Sequence, residues 1–136
     1  MRCLACDNTK LETTNSRKHP RETRVWRRRH CTTCGLTFTT HELPEYSGGF
    51  VIIRGRRKRD RRPFSHAGLL RELFTAGGHV KRQDDLVWLA QTAAARAMRV
   101  AAARQFTLPA DEYVAIVMAT LAAYDELLAA NYKARL

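Results

Sequence analysis

The sequence predicts an α+β fold in two parts, with small β hairpins held by a metal ion first and a mostly helical domain after them. All four cysteines lie in the first quarter of the 136 residues, as two Cys-x-x-Cys pairs. After residue 65, apolar side chains recur at intervals of three and four, which is the period of a helix face. We therefore expect one domain over residues 1–46 and a second over residues 50–136.

The two cysteine pairs, Cys3 with Cys6 and Cys31 with Cys34, are separated by 24 residues. Two thiolates from one tight turn reach the same ion, so two such pairs predict a tetrahedral Zn²⁺ site. Four thiolates fill the coordination sphere and leave no place for a catalytic water, which indicates a structural ion. His30 is a less favoured alternative ligand. A disulfide or redox dithiol is the other alternative, but a redox pair normally opens a helix beside a parallel sheet.

Strand patterns surround the second cysteine pair. Residues 23–30 are extended in character, and residues 36–40 alternate and are rich in β-branched and aromatic side chains, so both are predicted strands. Residues 12–23 show no periodicity and are predicted to form a loop. A segment this short cannot bury a core of its own, so zinc must supply much of its folding free energy.

The second part is predicted to be a short β element followed by three helices around one core. Residues 50–54 read as a strand and residues 55–62 as a basic turn or hairpin. Ser65 is a candidate N-cap for the first helix, and Gly77 follows its last turn. The apolar stripe of this helix consists of Leu69, Leu70, Leu73 and Phe74.

Two longer helices are predicted after the first. One opens at Asp84 and ends near Gln105, with a buried face rich in alanine that lets a neighbouring helix approach closely. The other begins at Pro109, and its stripe continues to Leu128 at intervals of three and four. These stripes are typical of packing surfaces.

The positive charge is concentrated in the first part of the chain. The net charge is +11, and residues 1–62 hold sixteen basic against six acidic side chains. Such an asymmetry predicts a polyanionic partner, most simply nucleic acid. The alternative is a solvated basic surface.

Three consecutive arginines, Arg27, Arg28 and Arg29, are candidate DNA contacts. On a strand, Arg27 and Arg29 share one face while Arg28 lies on the other. Arginine suits bidentate contacts to guanine edges and phosphates, and Arg17 adds a candidate contact from the predicted loop. Alternatively, some of these side chains contact phosphates without reading bases. Trp26 is expected to pack against the ribbon rather than stack on DNA.

The second basic cluster, residues 54–62, has three interpretations: a site for a nucleotide triphosphate, an extension of the DNA surface, or a solvated hairpin. The sequence contains neither a P-loop nor a Gly-x-Gly-x-x-Gly motif. No constellation of catalytic residues is present, so we do not expect an enzyme.

The expected location is the cytoplasm. No apolar run approaches the ~20 residues that span a bilayer, and no apolar signal core follows Met1. Metal-type cysteine spacing is typical of a reducing compartment. We expect no membrane partner, and nucleoid association when the protein is bound to DNA.

Several motifs occur in a fixed order along the chain. They are Met1-Arg2-Cys3-x-x-Cys6, Asn15-Ser16-Arg17, the run from Val25 to Cys34, Phe38-Thr39-Thr40-His41-Glu42, Pro63-Phe64 and Val117-Met118-x-x-Leu121-x-x-Tyr124-Asp125. Together they resemble the NrdR family, bacterial repressors of ribonucleotide reductase genes that join an N-terminal zinc ribbon to an ATP-cone. The match is more specific over the ribbon than over the cone.

The resemblance implies a zinc-dependent transcriptional repressor that binds double-stranded promoter DNA of ribonucleotide reductase genes as a homo-oligomer. It implies that residues 1–46 are the DNA-binding zinc ribbon and that residues 50–136 are an ATP-cone-like regulatory domain with ATP or dATP as effectors. Arg54, Arg56 and Lys58 are the implied nucleotide contacts, because they flank the strand and hairpin that face phosphates in the family.

The cone departs from the family pattern at three places. The strand and hairpin that touch phosphates in the family correspond either to Ile53-Arg54, with a longer arginine-rich hairpin, or to Lys58-Arg59-Asp60, with a hairpin that lacks its glycine. Gly68 stands near the position of a usual lysine, and residues 129–133 replace the usual aromatic ending. Two further hypotheses therefore stay open. The first is a divergent DNA-binding factor that has lost nucleotide control, and the second is a zinc-ribbon adaptor that binds a protein machine.

Overall fold

The computed structural model describes residues 1–20 and 23–136, which form two compact units, residues 1–44 and residues 45–136. Arg21 and Glu22, at the end of the predicted loop, lie outside the described residues. The predicted α+β class, with β hairpins first and a mostly helical part second, is confirmed. None of the helices in the described ranges has the length and hydropathy of a membrane-spanning segment.

The first unit contains a three-stranded antiparallel sheet in the order β1-β2-β3. Its strands are β1 (Leu11–Lys18), β2 (Val25–Cys31) and β3 (Thr37–Glu42). The strands predicted over residues 23–30 and 36–40 are confirmed, but the loop predicted over residues 12–23 is wrong over residues 12–18, which belong to β1. All residues of β1 after Leu11 are exposed, so this strand lacks the apolar alternation that would reveal it. Its pairing with β2 makes it a strand.

The second unit contains a small sheet in the order β5-β4-β6. Its strands are β4 (Val51–Ile53), β5 (Arg61–Pro63) and β6 (Thr107–Pro109). The predicted strand and basic hairpin correspond to β4, a 3₁₀ turn over Lys58–Asp60, and β5. No pattern in the sequence indicates β6, which pairs parallel to β4. These three residues end in a proline, which is typical of a helix start, and they form a strand only because they pair with the distant β4.

The second unit has four helices rather than the predicted three. They are α1 (His66–Ala76), α2 (Asp84–Ala102), α3 (Ala110–Ala122) and α4 (Glu126–Lys133). The single helix predicted from Pro109 through Leu128 is wrong, because the chain turns at Asp125 and this carboxylate accepts the N–H of Leu128 at 3.0 Å. The predicted N-cap is confirmed, with Ser65 Oγ accepting the N–H of Gly68 at 3.0 Å.

One apolar core fills the second unit. It is built on the stacked rings of Phe50 and Phe64, whose centroids lie 4.7 Å apart, and on side chains from all four helices. The alanine-rich face of α2 is fully buried and packs against α1 and α3, as its small side chains predict. Phe74 was predicted in the buried stripe of α1, but it is 42% exposed because the turn of that helix points it outward.

Candidate metal centre and nucleic-acid surface

The structure brings the four cysteines together at one end of the three-stranded sheet. Their sulfurs all lie within 4.8 Å of one another, with Cys3 Sγ 3.6 Å from Cys34 Sγ and Cys6 Sγ 3.6 Å from Cys31 Sγ. Zn–S bonds of about 2.3 Å in a tetrahedron require sulfurs about 3.8 Å apart. The four thiols are free of disulfides and fit a zinc ion.

Two similar turns present the cysteine pairs. In the first, the N–H of Asp7 donates to the carbonyl of Cys3, and in the second the N–H of Gly35 donates to the carbonyl of Cys31. Both turns need a residue in the left-handed region, at φ 57° for Asp7 and 76° for Gly35. Aspartate tolerates that conformation and glycine adopts it without steric cost, which explains why these residues follow the two pairs.

Backbone amides of the turns favour the thiolate form at Cys3 and Cys31, whereas burial and the neighbouring thiols raise the pKa of Cys6 and Cys34. The amide of Cys34 is the largest influence that lowers the pKa of the Cys31 thiol, to about 6. Amides of Cys6 and Ala5 lower the pKa of Cys3 in the same way. Hydrogen bonds to a thiolate stabilise it, so metal binding at neutral pH has a smaller proton-release cost at these two ligands.

His30 does not join the metal cluster, which consists of the four cysteines alone among the described residues. Its Nδ1 lies 3.3 Å from the hydroxyl of Thr37, on the neighbouring strand. The alternative of a histidine ligand is therefore not favoured by the geometry.

Residues 1–42 match a family model described as the N-terminal domain of transcriptional repressor NrdR-like proteins. Over these residues, the chain is similar to the zinc ribbons of NrdR proteins. The matched residues cover the four cysteines and the three strands of the first unit. The second unit lies outside the residues that this family model matches.

Curated relatives carry the name "Transcriptional repressor NrdR". The protein of Thermosynechococcus vestitus is 37% identical over 78 residues, which is 57% of this chain and 46% of the relative. The protein of Synechococcus elongatus is 38% identical over 76 residues, which is 56% of this chain and 44% of the relative. A protein of an Exiguobacterium species is 29% identical over 127 residues, 93% of this chain and 79% of the relative. The chain thus spans about half the length of its two cyanobacterial relatives.

The strand register divides the candidate DNA contacts of this NrdR-like ribbon between two faces. Arg27 lies opposite Ser16 and Thr40, and Arg29 opposite Thr13 and Phe38. Directly opposed residues of antiparallel strands point to the same side, so these arginines share one side with Glu42. We call this side the Glu42 face, and it agrees with the predicted alternation of the arginine run.

The opposite side of the sheet carries the other two candidate contacts. Trp26 lies between Arg17 and His41, and Arg28 lies between Asn15 and Thr39. We call this side the Trp26 face. Arg17 was predicted in a loop, but it lies in β1. The four predicted contacts are therefore two pairs on opposite sides of one sheet.

The guanidiniums of the Glu42 face have partners within the ribbon. Arg27 donates to both carboxylate oxygens of Glu42, from Nε at 2.8 Å and Nη2 at 3.0 Å, and from Nη1 to Ser16 Oγ at 3.2 Å. This arginine lowers the pKa of Glu42. Arg29 donates from Nε to Thr40 Oγ1 at 3.0 Å and from Nη1 to Thr13 Oγ1 at 3.4 Å.

A cavity of about 330 Å³ opens beside the ring of Trp26 in the first unit. Trp26 is half-buried, in line with the expectation that it packs against the ribbon. The cavity is lined by Arg17, Lys18, His19, Pro20, Arg24, Trp26 and His41. Lys18 and Arg24 were not among the predicted contacts. The clustering of charge around the β1–β2 connection was the only signal for them.

A second cavity, of about 210 Å³, lies within the second unit. Arg54, directly after β4, and Arg62 from β5 line it together with Ser65 and Gly68 at the start of α1. Arg56 and Lys58, the other two implied nucleotide contacts, are exposed in the turn between β4 and β5 and do not line it. Arg62 belongs to the basic cluster at residues 54–62 but was not among the implied contacts.

Two side chains from α1 and α4 narrow this second cavity. Tyr132 Oη donates to Glu72 Oε2 at 3.3 Å, and both residues line the cavity. Burial raises the pKa of the Tyr132 phenol. The site therefore combines two arginines and a helix N-terminus, which favour an anion, with one carboxylate, which opposes it.

Proposed function

We propose that this chain is a zinc-dependent, DNA-binding transcriptional repressor. The observation that carries the proposal is the NrdR-like ribbon of residues 1–42 with its four clustered cysteines. Relatives along most of the chain bear the name of a transcriptional repressor, which supports the same role. Repression by occupancy of a promoter requires no chemical step, so we infer that the protein is not an enzyme.

In this proposal zinc stabilises the fold of the ribbon, and the ribbon binds the DNA. The candidate contacts are Arg17, Arg27, Arg28 and Arg29, within a first half that carries most of the net charge. Cationic side chains displace counterions from the DNA backbone, so binding should weaken steeply as salt rises. Several ribbons joined in one homo-oligomer would engage repeated elements together and gain affinity without new base contacts.

The finer proposal is control of ribonucleotide reductase promoters by ATP or dATP. The second cavity supports a nucleotide site, because Arg54, Arg62 and the N-terminus of α1 converge on it. Arg56 and Lys58 on the adjoining turn would reach phosphates that extend out of the cavity. An effector changes an oligomer only through its different affinity for two states, so the nucleotide would have to prefer one assembly.

A second candidate function is a DNA-binding factor without nucleotide control, and one observation favours it. Glu72 places a carboxylate in the cavity, whose volume of about 210 Å³ lies below the usual range of ligand pockets. A triphosphate would meet both a small space and a repulsive charge. The second unit would then serve as an oligomerisation scaffold, in a protein of the bacterial cytoplasm under either candidate.

Selection of bound sites from random duplexes tests the repressor proposal. Zinc-loaded full chain should enrich one repeated element, and ATP or dATP should change its enrichment. An absence of any enriched sequence would contradict promoter recognition and favour a protein-binding adaptor. Enrichment that is identical with and without nucleotide would favour the second candidate.

Calorimetry with Glu72→Gln separates the two candidates. Removal of the carboxylate should strengthen triphosphate binding about tenfold if the cavity is the site, because one repulsive charge is lost. The matched control is Glu126→Gln, an exposed carboxylate at the start of α4 that does not line the cavity. Absence of binding heat in both the wild type and Glu72→Gln would contradict nucleotide control.

A further inference from the structure

We propose that the ribbon docks on duplex DNA through the Trp26 face, with Arg17, Trp26 and Arg28 as the contacts, while Arg27 and Arg29, the other two candidate contacts, are held by hydrogen bonds within the sheet. The inference rests on the proposed DNA-binding function and specifies the surface that performs it.

The hydrogen bonds of the two faces carry the assignment. Both guanidiniums of the Glu42 face are held by side chains of the neighbouring strands, and one is paired with a carboxylate at 2.8 Å. A phosphate that approached Arg27 would compete with Glu42 and meet its negative charge. The positive charge of Arg27 is therefore already balanced by Glu42 in the absence of DNA.

The arginines of the Trp26 face, in contrast, are not held by neighbouring side chains of the described part of the chain. Within residues 1–20 and 23–136, the guanidiniums of Arg17 and Arg28 donate no side-chain hydrogen bond and form no ion pair, and both side chains are exposed. Thr14 Oγ1 approaches only the backbone carbonyl of Arg28. Free guanidiniums keep all five donors for phosphate oxygens or guanine edges.

The surroundings of Trp26 extend this cationic surface. The cavity beside its ring is also lined by Arg24 and by Lys18, which ends β1 opposite Val25, so further cations lie near the indole at the β1–β2 end of the sheet. Glu12 is the one acidic side chain on this face among the described strand residues, and it lies opposite His30 at the metal end. The charge complements a polyanion, and the half-buried indole offers an apolar edge to deoxyribose.

Matched double variants test the assignment. Arg17→Ala/Arg28→Ala and Arg27→Ala/Arg29→Ala each remove two positive charges from the same sheet. Each should be zinc-loaded as the full chain and titrated with one 30-base-pair duplex of arbitrary sequence over a range of salt. Loss of Arg17 and Arg28 should reduce the magnitude of the negative slope of log K against log salt by about two, because two phosphate contacts are lost. The second pair should leave that slope unchanged.

Quenching of tryptophan fluorescence reports contact of the indole with DNA, while zinc content and circular dichroism report the stability of the fold separately. The chain has two tryptophans, Trp26 and Trp88, and duplex DNA should quench the emission of the wild type. The quenching should disappear in Trp26→Phe, while zinc content and circular dichroism stay unchanged. Quenching that persists in Trp26→Phe would overturn the placement of Trp26 at the DNA.

The outcomes distinguish this inference from the proposed function. A slope that falls with Arg27→Ala/Arg29→Ala, or falls equally or not at all with both pairs, overturns the assignment of faces while DNA binding stands. A zinc-loaded wild type that binds no duplex even at low salt overturns the proposed function, and the assignment with it.

Discussion

Among the described residues of the first unit only Cys3 and Cys31 are buried, whereas the second unit encloses Phe50, Leu73, Leu121 and many further side chains. Burial of apolar surface contributes about 25 cal/mol per Å², so the second unit has an ordinary hydrophobic source of stability. The first unit lacks one and depends on metal–thiolate bonds and strand pairing. The two halves of this chain are therefore stabilised by different interactions and should unfold under different conditions.

The largest expected effect is loss of the metal. Cys31→Ser should unfold the first unit and abolish DNA binding, because structural zinc contributes on the order of 10 kcal/mol and this unit has no core to replace it. The thermal transition of the second unit should remain. The measurements are zinc content, amide NMR spectra and DNA titration. The control is Thr33→Ser, which lies in the same turn but is not a ligand. A folded first unit in Cys31→Ser would show that this unit does not depend on zinc for its stability.

A core truncation should act on the other half. Leu128 is fully buried in α4, so Leu128→Ala should lower the free energy of unfolding of the second unit by about 2–5 kcal/mol. Its neighbour Leu127 is 55% exposed, and Leu127→Ala should change that free energy by less than about 0.5 kcal/mol. Urea unfolding followed by helical circular dichroism measures both. Weaker zinc binding in Leu128→Ala would show that the two units are not independent.

A helix cap should produce a smaller effect on the second unit. Ser65→Ala removes the acceptor of the Gly68 N–H, which should cost about 1 kcal/mol in the same unfolding measurement. Ser65→Asp keeps an acceptor at the cap and should restore most of the stability. Equal losses in both variants would point to packing around Ser65 rather than capping.

Acid should produce the smallest effect, on the first unit. Arg27 lowers the pKa of Glu42 below its usual value of 4.5, so the folded state binds fewer protons there than the unfolded state does. The pair therefore stabilises the ribbon above pH 4.5, and that contribution is lost as the pH falls through the folded pKa. NMR titration of the Glu42 carboxylate measures it directly. In Arg27→Gln the midpoint should rise, and an unchanged midpoint would contradict the pairing.

Elements with local signals were predictable from the sequence. The spacing of the four cysteines determines the metal centre, because two tight turns restrict where thiolates can point. Strands β2 and β3 follow from alternation and β-branched residues, and Ser65 and Gly77 mark the ends of α1 because capping is a local hydrogen-bond requirement. The concentration of positive charge, and the sharing of one face by Arg27 and Arg29, also follow from composition and strand parity.

Other features were decided only when distant segments met. Strand β1 is exposed on both sides and β6 has three residues, so long-range pairing rather than periodicity defines them. The stripe that runs through Tyr124 is broken because Asp125 starts a new helix, and a continuous pattern cannot reveal which turn the tertiary structure interrupts. Likewise, composition counts Arg27 and Arg28 as equal charges. The strand register places the first on the same face as Glu42, to which it donates, and leaves the second exposed on the other face, because only the folded sheet brings these side chains together.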